Sequence, residues 1–234
     1  MNELAGLATF FKEGGLVMYA ILGVGVVAAG IALERFFVIT WAARLNGRKL
    51  TRDVVNHVNR GDLNSARNLS RHSSAPAAQV LQAVLSVPEL DEARLQSAAD
   101  DAITLAMPPL TRRLAHLNVC ANIATLVGLL GTIAGLITAF AAVGAADPSQ
   151  RSAFLAHGIS MALNATAFGL IVAIPTLVTQ GFLVGIVESV SEQVEECGIR
   201  LIRALLASPA ARGQVVPIPA RPAGQPVARA AGQP

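Results

Sequence analysis

The chain has 234 residues, of which 53% are hydrophobic and 14% charged, with a mean hydropathy of +0.54; soluble domains carry charge on roughly a quarter of their residues, so this composition is that of an integral membrane protein. Two cysteines, Cys120 and Cys197, and no Gly-X-Y period exclude disulfide-rich secreted and collagenous classes. In a chain this apolar, the net charge of +3 and isoelectric point near 9.4 record membrane orientation rather than nucleic-acid binding.

In chain order, an N-terminal segment (1–13) on the outer side leads into a first transmembrane helix over 14–38. No basic stretch precedes it and no small-residue cleavage site follows, so it reads as a retained anchor rather than a secretory signal. Glu34-Arg35 reads either as a buried ion pair or as an interfacial stop signal, and the second is favoured because adjacent helical residues point apart and long side chains snorkel to headgroups. A cytoplasmic helical domain follows over 39–113, with Asp62 and Asp91 as N-caps, amphipathic helices around 66–69 and 80–85, and a break or kink at Pro108-Pro109. The second transmembrane helix covers 114–146, an outer loop 147–151, the third transmembrane helix 152–187, and a cytoplasmic helix 188–207. The tail, 208–234, is rich in Pro and Ala with little to bury and reads as disordered. All three spans exceed or match the roughly 20 apolar residues that cross a bilayer. The fold class is all-α: an integral membrane protein with three transmembrane helices, the long ones extending into a cytoplasmic helical domain.

Orientation follows from the cations. Of the 18 Lys and Arg residues, ten lie within 39–113 and five beyond residue 187, against Lys12 and Arg151 on the other side. The positive-inside rule puts the N-terminus and the 147–151 loop outside and the 39–113 stretch and the C-terminus in the cytoplasm; the family resemblance described below makes that outer side the periplasm.

Spans two and three each carry a stripe of small and hydroxyl residues at steps of three and four. The first runs Thr125, Gly128, Thr132, Gly135, Ala139, Ala142; the second Ala162, Thr166, Gly169, Ala173, Thr176, Gln180. Two readings stand together. Gly128, Gly131, Gly135, Gly169 and Ala173 let helix backbones pack closely, while Thr125, Thr132, Thr166, Thr176 and Gln180 line an interior that holds another helix or water. Neither long span contains Asp, Glu, Lys or Arg. A proton path through these stripes therefore requires a carboxylate from a partner helix set against Thr132 and Thr166. The four histidines and two cysteines have no ligand-like spacing, and no nucleotide loop or nucleophile triad is present, so no metal, cofactor or catalytic residue is expected.

Three runs carry a family resemblance. Gly14-Gly15-Leu16-Val17-Met18-Tyr19 enters span one and Glu34-Arg35-Phe36 leaves it. Asn122 to Thr132 (NIATLVGLLGT) lies in span two, and Ala162 to Pro175 (ALNATAFGLIVAIP) in span three. Over about Phe10 to Arg203 the chain resembles the MotA/TolQ/ExbB proton-channel family, in its three-span ExbB/TolQ-like branch; the flagellar MotA branch has four spans and fits less well. The resemblance implies a non-enzymatic homopentamer in a bacterial inner membrane, surrounding an ExbD/TolR-like single-span subunit that supplies a transmembrane Asp. It also implies a TonB/TolA-like protein as a further partner, contact with membrane lipid, and no nucleic acid. The family's pore-facing threonines correspond to Thr132 and Thr166. The expected function is a proton-channel (stator) subunit of a motor that couples the proton motive force to work at the cell envelope, in TonB-type transport, Tol-Pal or gliding motility. Met161 stands where many ExbB and TolQ proteins have an acid, so no role of that acid is carried over. The alternative is a non-conducting membrane scaffold that recruits envelope partners.

Overall fold

The computed structural model describes residues 15–45 and 47–208. The expected N-terminal segment, 1–13, and all but the first residue of the expected tail, 208–234, lie outside the described residues. The described elements are eight helices: α1 (Leu16–Arg44), α2 (Gly47–Asn59), α3 (Leu63–Arg71), α4 (Pro76–Ser86), α5 (Glu92–Ala106), α6 (Pro108–Thr111), α7 (Leu114–Ala145) and α8 (Arg151–Ala207). No strand occurs among the described residues. The fold is all-helical, and three of its helices are long and apolar enough to cross a membrane.

Local chemistry explains the breaks. Gly15, at φ 70°, adopts the left-handed backbone that a side chain disfavours and starts α1. Gly61, at φ 79°, turns the chain between α2 and α3. Asp62 caps α3 as expected, its carboxylate accepting the Ser65 N–H at 3.0 Å. Asp91 precedes α5, and its carbonyl accepts the Leu95 N–H at 3.0 Å. Pro108 and Pro109 have no N–H to donate, so they end the helical ladder of α5 and open the single turn of α6. α8, by contrast, continues through Pro175, with the Thr176 hydroxyl donating to the Val172 carbonyl at 2.7 Å one turn back.

The chain divides into two compact units. The first holds α1, α6, α7 and α8 as far as Gln193. Its core is small: Ile21, Ala121, Ala124 and Ala173 are buried, with Val17, Val24, Val127, Phe168 and Val172 packed around them. Its outer faces are apolar and open, Leu126, Leu130, Ile137 and Phe140 each being more than half exposed. Such a surface is stable against lipid and not against water.

The second unit holds α2, α3, α4, nearly all of α5, and α8 from Val194. Val54, Val58, Val80, Leu81, Leu95 and Leu201 are fully buried there, each contributing about 1.5–3 kcal/mol relative to exposure. Arg48 and Arg200 both pair with Glu196, at 3.3 and 2.6 Å; these pairs are exposed and add little. Burial pushes the Cys197 thiol above its ordinary pKa, so it stays neutral.

Candidate functional site

The two stripes meet each other. A methyl group added at Gly128 would lie 3.1 Å from the Ala165 carbonyl oxygen, one at Gly131 2.5 Å from the Ala165 Cβ, and one at Gly135 2.9 Å from the Ala162 Cβ. On the facing helix, a methyl at Gly169 would lie 2.7 Å from the Ala124 carbonyl oxygen, and one at Gly158 would collide with the Ala139 Cβ. Each step up α7 is matched by an equal step down α8, which makes an antiparallel seam of backbone against backbone. Ala173 is buried at its Ala121–Ala124 end.

This register puts Thr132 and Thr166 at the same depth, since Gly131 faces Ala165. Both are partly buried at the seam's edge. By helical geometry Thr132 lies about 140° around α7 from Val127, and Thr166 about 160° around α8 from Phe168. Val127 and Phe168 pack on the α1 side of the core, so the two threonines border the seam on the flank away from α1.

Their hydroxyls are committed as donors. Thr132 Oγ1 donates to the Leu129 carbonyl at 2.6 Å within α7, whereas Thr166 Oγ1 donates across the seam to the Gly128 carbonyl at 3.1 Å. A hydroxyl has one proton and two lone pairs. Each threonine can therefore accept a hydrogen bond from water or a protonated carboxyl without giving up its own bond. To donate to an ionised carboxylate it must leave its carbonyl.

The remaining sequence-predicted polar residues are dispersed. Thr125 lies on the same face of α7 as Thr132, exposed and bonded to the Ala121 carbonyl at 3.1 Å. Thr176 is buried beside a groove of about 730 Å³ between α1 and α8, lined by Gly25, Ala29, Val172 and Thr179 among others. It thus stands on the α1 side, separate from Thr132 and Thr166. Gln180 is partly buried one turn further along α8.

Glu34-Arg35 takes the less favoured of its two readings, a buried arginine paired with its neighbour rather than a snorkelling stop signal. Arg35 is buried, donating to the Pro109 carbonyl at 3.0 Å and to Glu34 Oε1 at 2.9 Å, and Glu34 Oε2 also accepts from Arg113. The bent path through Pro108-Pro109 offers Arg35 a carbonyl, and so draws its side chain inward. Arg113 is itself in the left-handed region, at φ 71°, immediately before α7. Sequence reasoning also missed Gly158 and Ala165 as seam residues. The signal was present, because 158, 162, 165 and 169 are all small at steps of three and four. Among the described residues no group of three His, Cys, Asp or Glu side chains is placed to hold a metal ion.

The profile of the MotA/TolQ/ExbB proton channel family matches residues 72–196, just over half of the chain. The chain belongs to that family. Among its relatives, it is 31% identical over 194 residues to biopolymer transport protein ExbB-like 1 of Synechocystis, covering 80% of this chain and 74% of the relative. It is 25% identical over 197 residues to an ExbB homolog of Methanothermobacter thermautotrophicus, covering 83% and 69%. Over 75 residues it is 41% identical to biopolymer transport protein ExbB of Aquifex aeolicus, covering 32% and 50%. The family is one of membrane transport channels and not of enzymes.

Proposed function

We propose that the chain is the proton-channel subunit of an ExbB/TolQ-like motor in the bacterial inner membrane, with its N-terminus periplasmic and its C-terminus cytoplasmic. Five copies surround the span of an ExbD/TolR-like partner whose Asp carries the proton. A TonB/TolA-like protein transmits the work to the cell envelope. The observation that carries this reading is the pair Thr132 and Thr166, level with each other at the edge of a seam that contains no ionisable side chain. A partner carboxylate set against them meets lone pairs when protonated and two rotatable O–H groups when ionised. The partner's acid can thus change charge without meeting a fixed countercharge that would trap it.

The test is proton-driven output of the full complex with Thr132→Val, Thr166→Val and the corresponding serine variants. Valine at either position lowers output at least about tenfold with assembly retained, as expected for loss of a polar group in a low-dielectric path, and serine restores most of it. Unchanged output in both valine variants rejects the assignment. The glycine seam also suits a non-conducting scaffold; that reading requires output, where present, to survive collapse of the proton gradient.

A further inference from the structure

The second unit contains a feature that proton conduction does not use. Between α3 and α4 lies a cavity of about 670 Å³ lined by Arg67, Ser70 and Arg71 from one helix and Gln79, Gln82 and Ser86 from the other. From residue 63 to residue 88 there is no Asp or Glu. The two acids that flank this stretch are engaged elsewhere: Asp62 caps α3, and Glu89 pairs with Arg94 at 2.8 Å. Among the described residues neither Arg67 nor Arg71 forms an ion pair.

The cavity wall is also ordered before any ligand arrives. Arg67 Nε donates to the Leu85 carbonyl at 3.1 Å, which ties the guanidinium of α3 to α4 and leaves its two terminal amino groups for binding. Gln82 Nε2 donates to the Ser70 carbonyl at 2.8 Å and closes the same gap from the other side. Two like charges, one turn apart on α3, thus line one cavity with no acidic side chain among its lining residues.

We propose that this cavity binds a phosphate group borne by a small molecule or a lipid headgroup. Two planar guanidinium forks match phosphate oxygens, and the Gln79 amide and the second Nε2 proton of Gln82 supply further donors, whereas the Ser86 hydroxyl spends its proton on the Ala83 carbonyl at 2.7 Å. The volume falls in the range of small-molecule sites and exceeds what a lone ion fills. The seven lining residues, of which Ala83 is the one apolar member, offer no aromatic or large aliphatic anchor for a peptide, so the phosphate is the better match.

The test uses the full chain in phosphatidylcholine nanodiscs, titrated calorimetrically with inorganic pyrophosphate. Arg71→Gln, Arg67→Gln/Arg71→Gln and, as a control elsewhere on the same unit, Arg94→Gln are compared with the parent. In parallel, nanodiscs containing phosphatidylglycerol are extracted and retained lipid is counted by native mass spectrometry. Arg71 is exposed and its replacement is not expected to disturb the helices, which circular dichroism checks. Saturable pyrophosphate binding, weakened about tenfold by Arg71→Gln, lost in the double variant and unchanged in Arg94→Gln, supports a soluble phosphate ligand. No pyrophosphate binding, but phosphatidylglycerol retention that falls in the same two variants, supports a headgroup. Neither signal, equal loss in Arg94→Gln, or displacement of pyrophosphate by equimolar polyglutamate overturns the proposal.

Discussion

A guanidinium buried within an apolar helix is costly unless its nitrogens find acceptors. Arg35 finds two, the Pro109 carbonyl and Glu34, while its Nε has none. Arg35→Gln should lower subunit stability by about 1.5–3 kcal/mol, the range for hydrogen bonds made by charged groups. Thermal unfolding in detergent measures it. Arg35→Lys should recover only part, because a single ammonium lacks the fork that reaches both acceptors at once; a midpoint unmoved in the glutamine variant would show that the cluster is incidental. Asp62 provides a pH-dependent counterpart. Its hydrogen bonds from the Ser65 side chain and backbone hold its carboxyl below the usual carboxylate range. The stabilisation is therefore full above the ordinary pKa of about 3.9 and is lost as pH falls through the lower folded value. The protection of amides at the start of α3, taken relative to their intrinsic exchange rate at each pH, should fall in that acid window, and Asp62→Asn, a cap that does not titrate, should flatten the dependence.

At the scale of elements, the α7–α8 seam separates glycines that must be glycine from those that need not be. Gly131→Ala and Gly135→Ala place a methyl 2.5 and 2.9 Å from facing Ala Cβ atoms, and should cost about 1–3 kcal/mol through overpacking. Gly144→Ala and Gly181→Ala meet nothing within 4 Å and should be neutral or stabilising, by about 0.5–1 kcal/mol of helix propensity. Thermal stability and oligomer yield of the four variants provide the comparison; equal behaviour would mean the seam is not closed in the membrane. The spans, the Asp62 cap, the proline break and the small-residue stripes were legible in the sequence because each depends on local chemistry or on periodicity within one helix. Two features were not. Thr176 shares a stripe with Thr166 by spacing, but only the position of α1 reveals that it belongs to another groove. Arg35 is drawn inward by a carbonyl 74 residues away, a contact that no pattern within its own helix announces.

At the scale of the whole molecule, α7 as a whole and α8 from Ser152 to Val187 carry no Asp, Glu, Lys or Arg. Liposomes reconstituted with this chain alone should show no more proton flux under an applied potential than empty liposomes, and co-reconstitution with an acid-bearing single-span partner should introduce flux. Conduction by the chain alone would remove the need for a borrowed carboxylate. The seam itself bears on where an ion can cross. At Gly131 and Gly135 the facing Ala165 and Ala162 Cβ atoms lie 2.5 and 2.9 Å from where a methyl would stand, so the two helices meet there with no gap for a water molecule. An ion crossing beside α7 and α8 therefore has to pass on a flank of the seam and not through it.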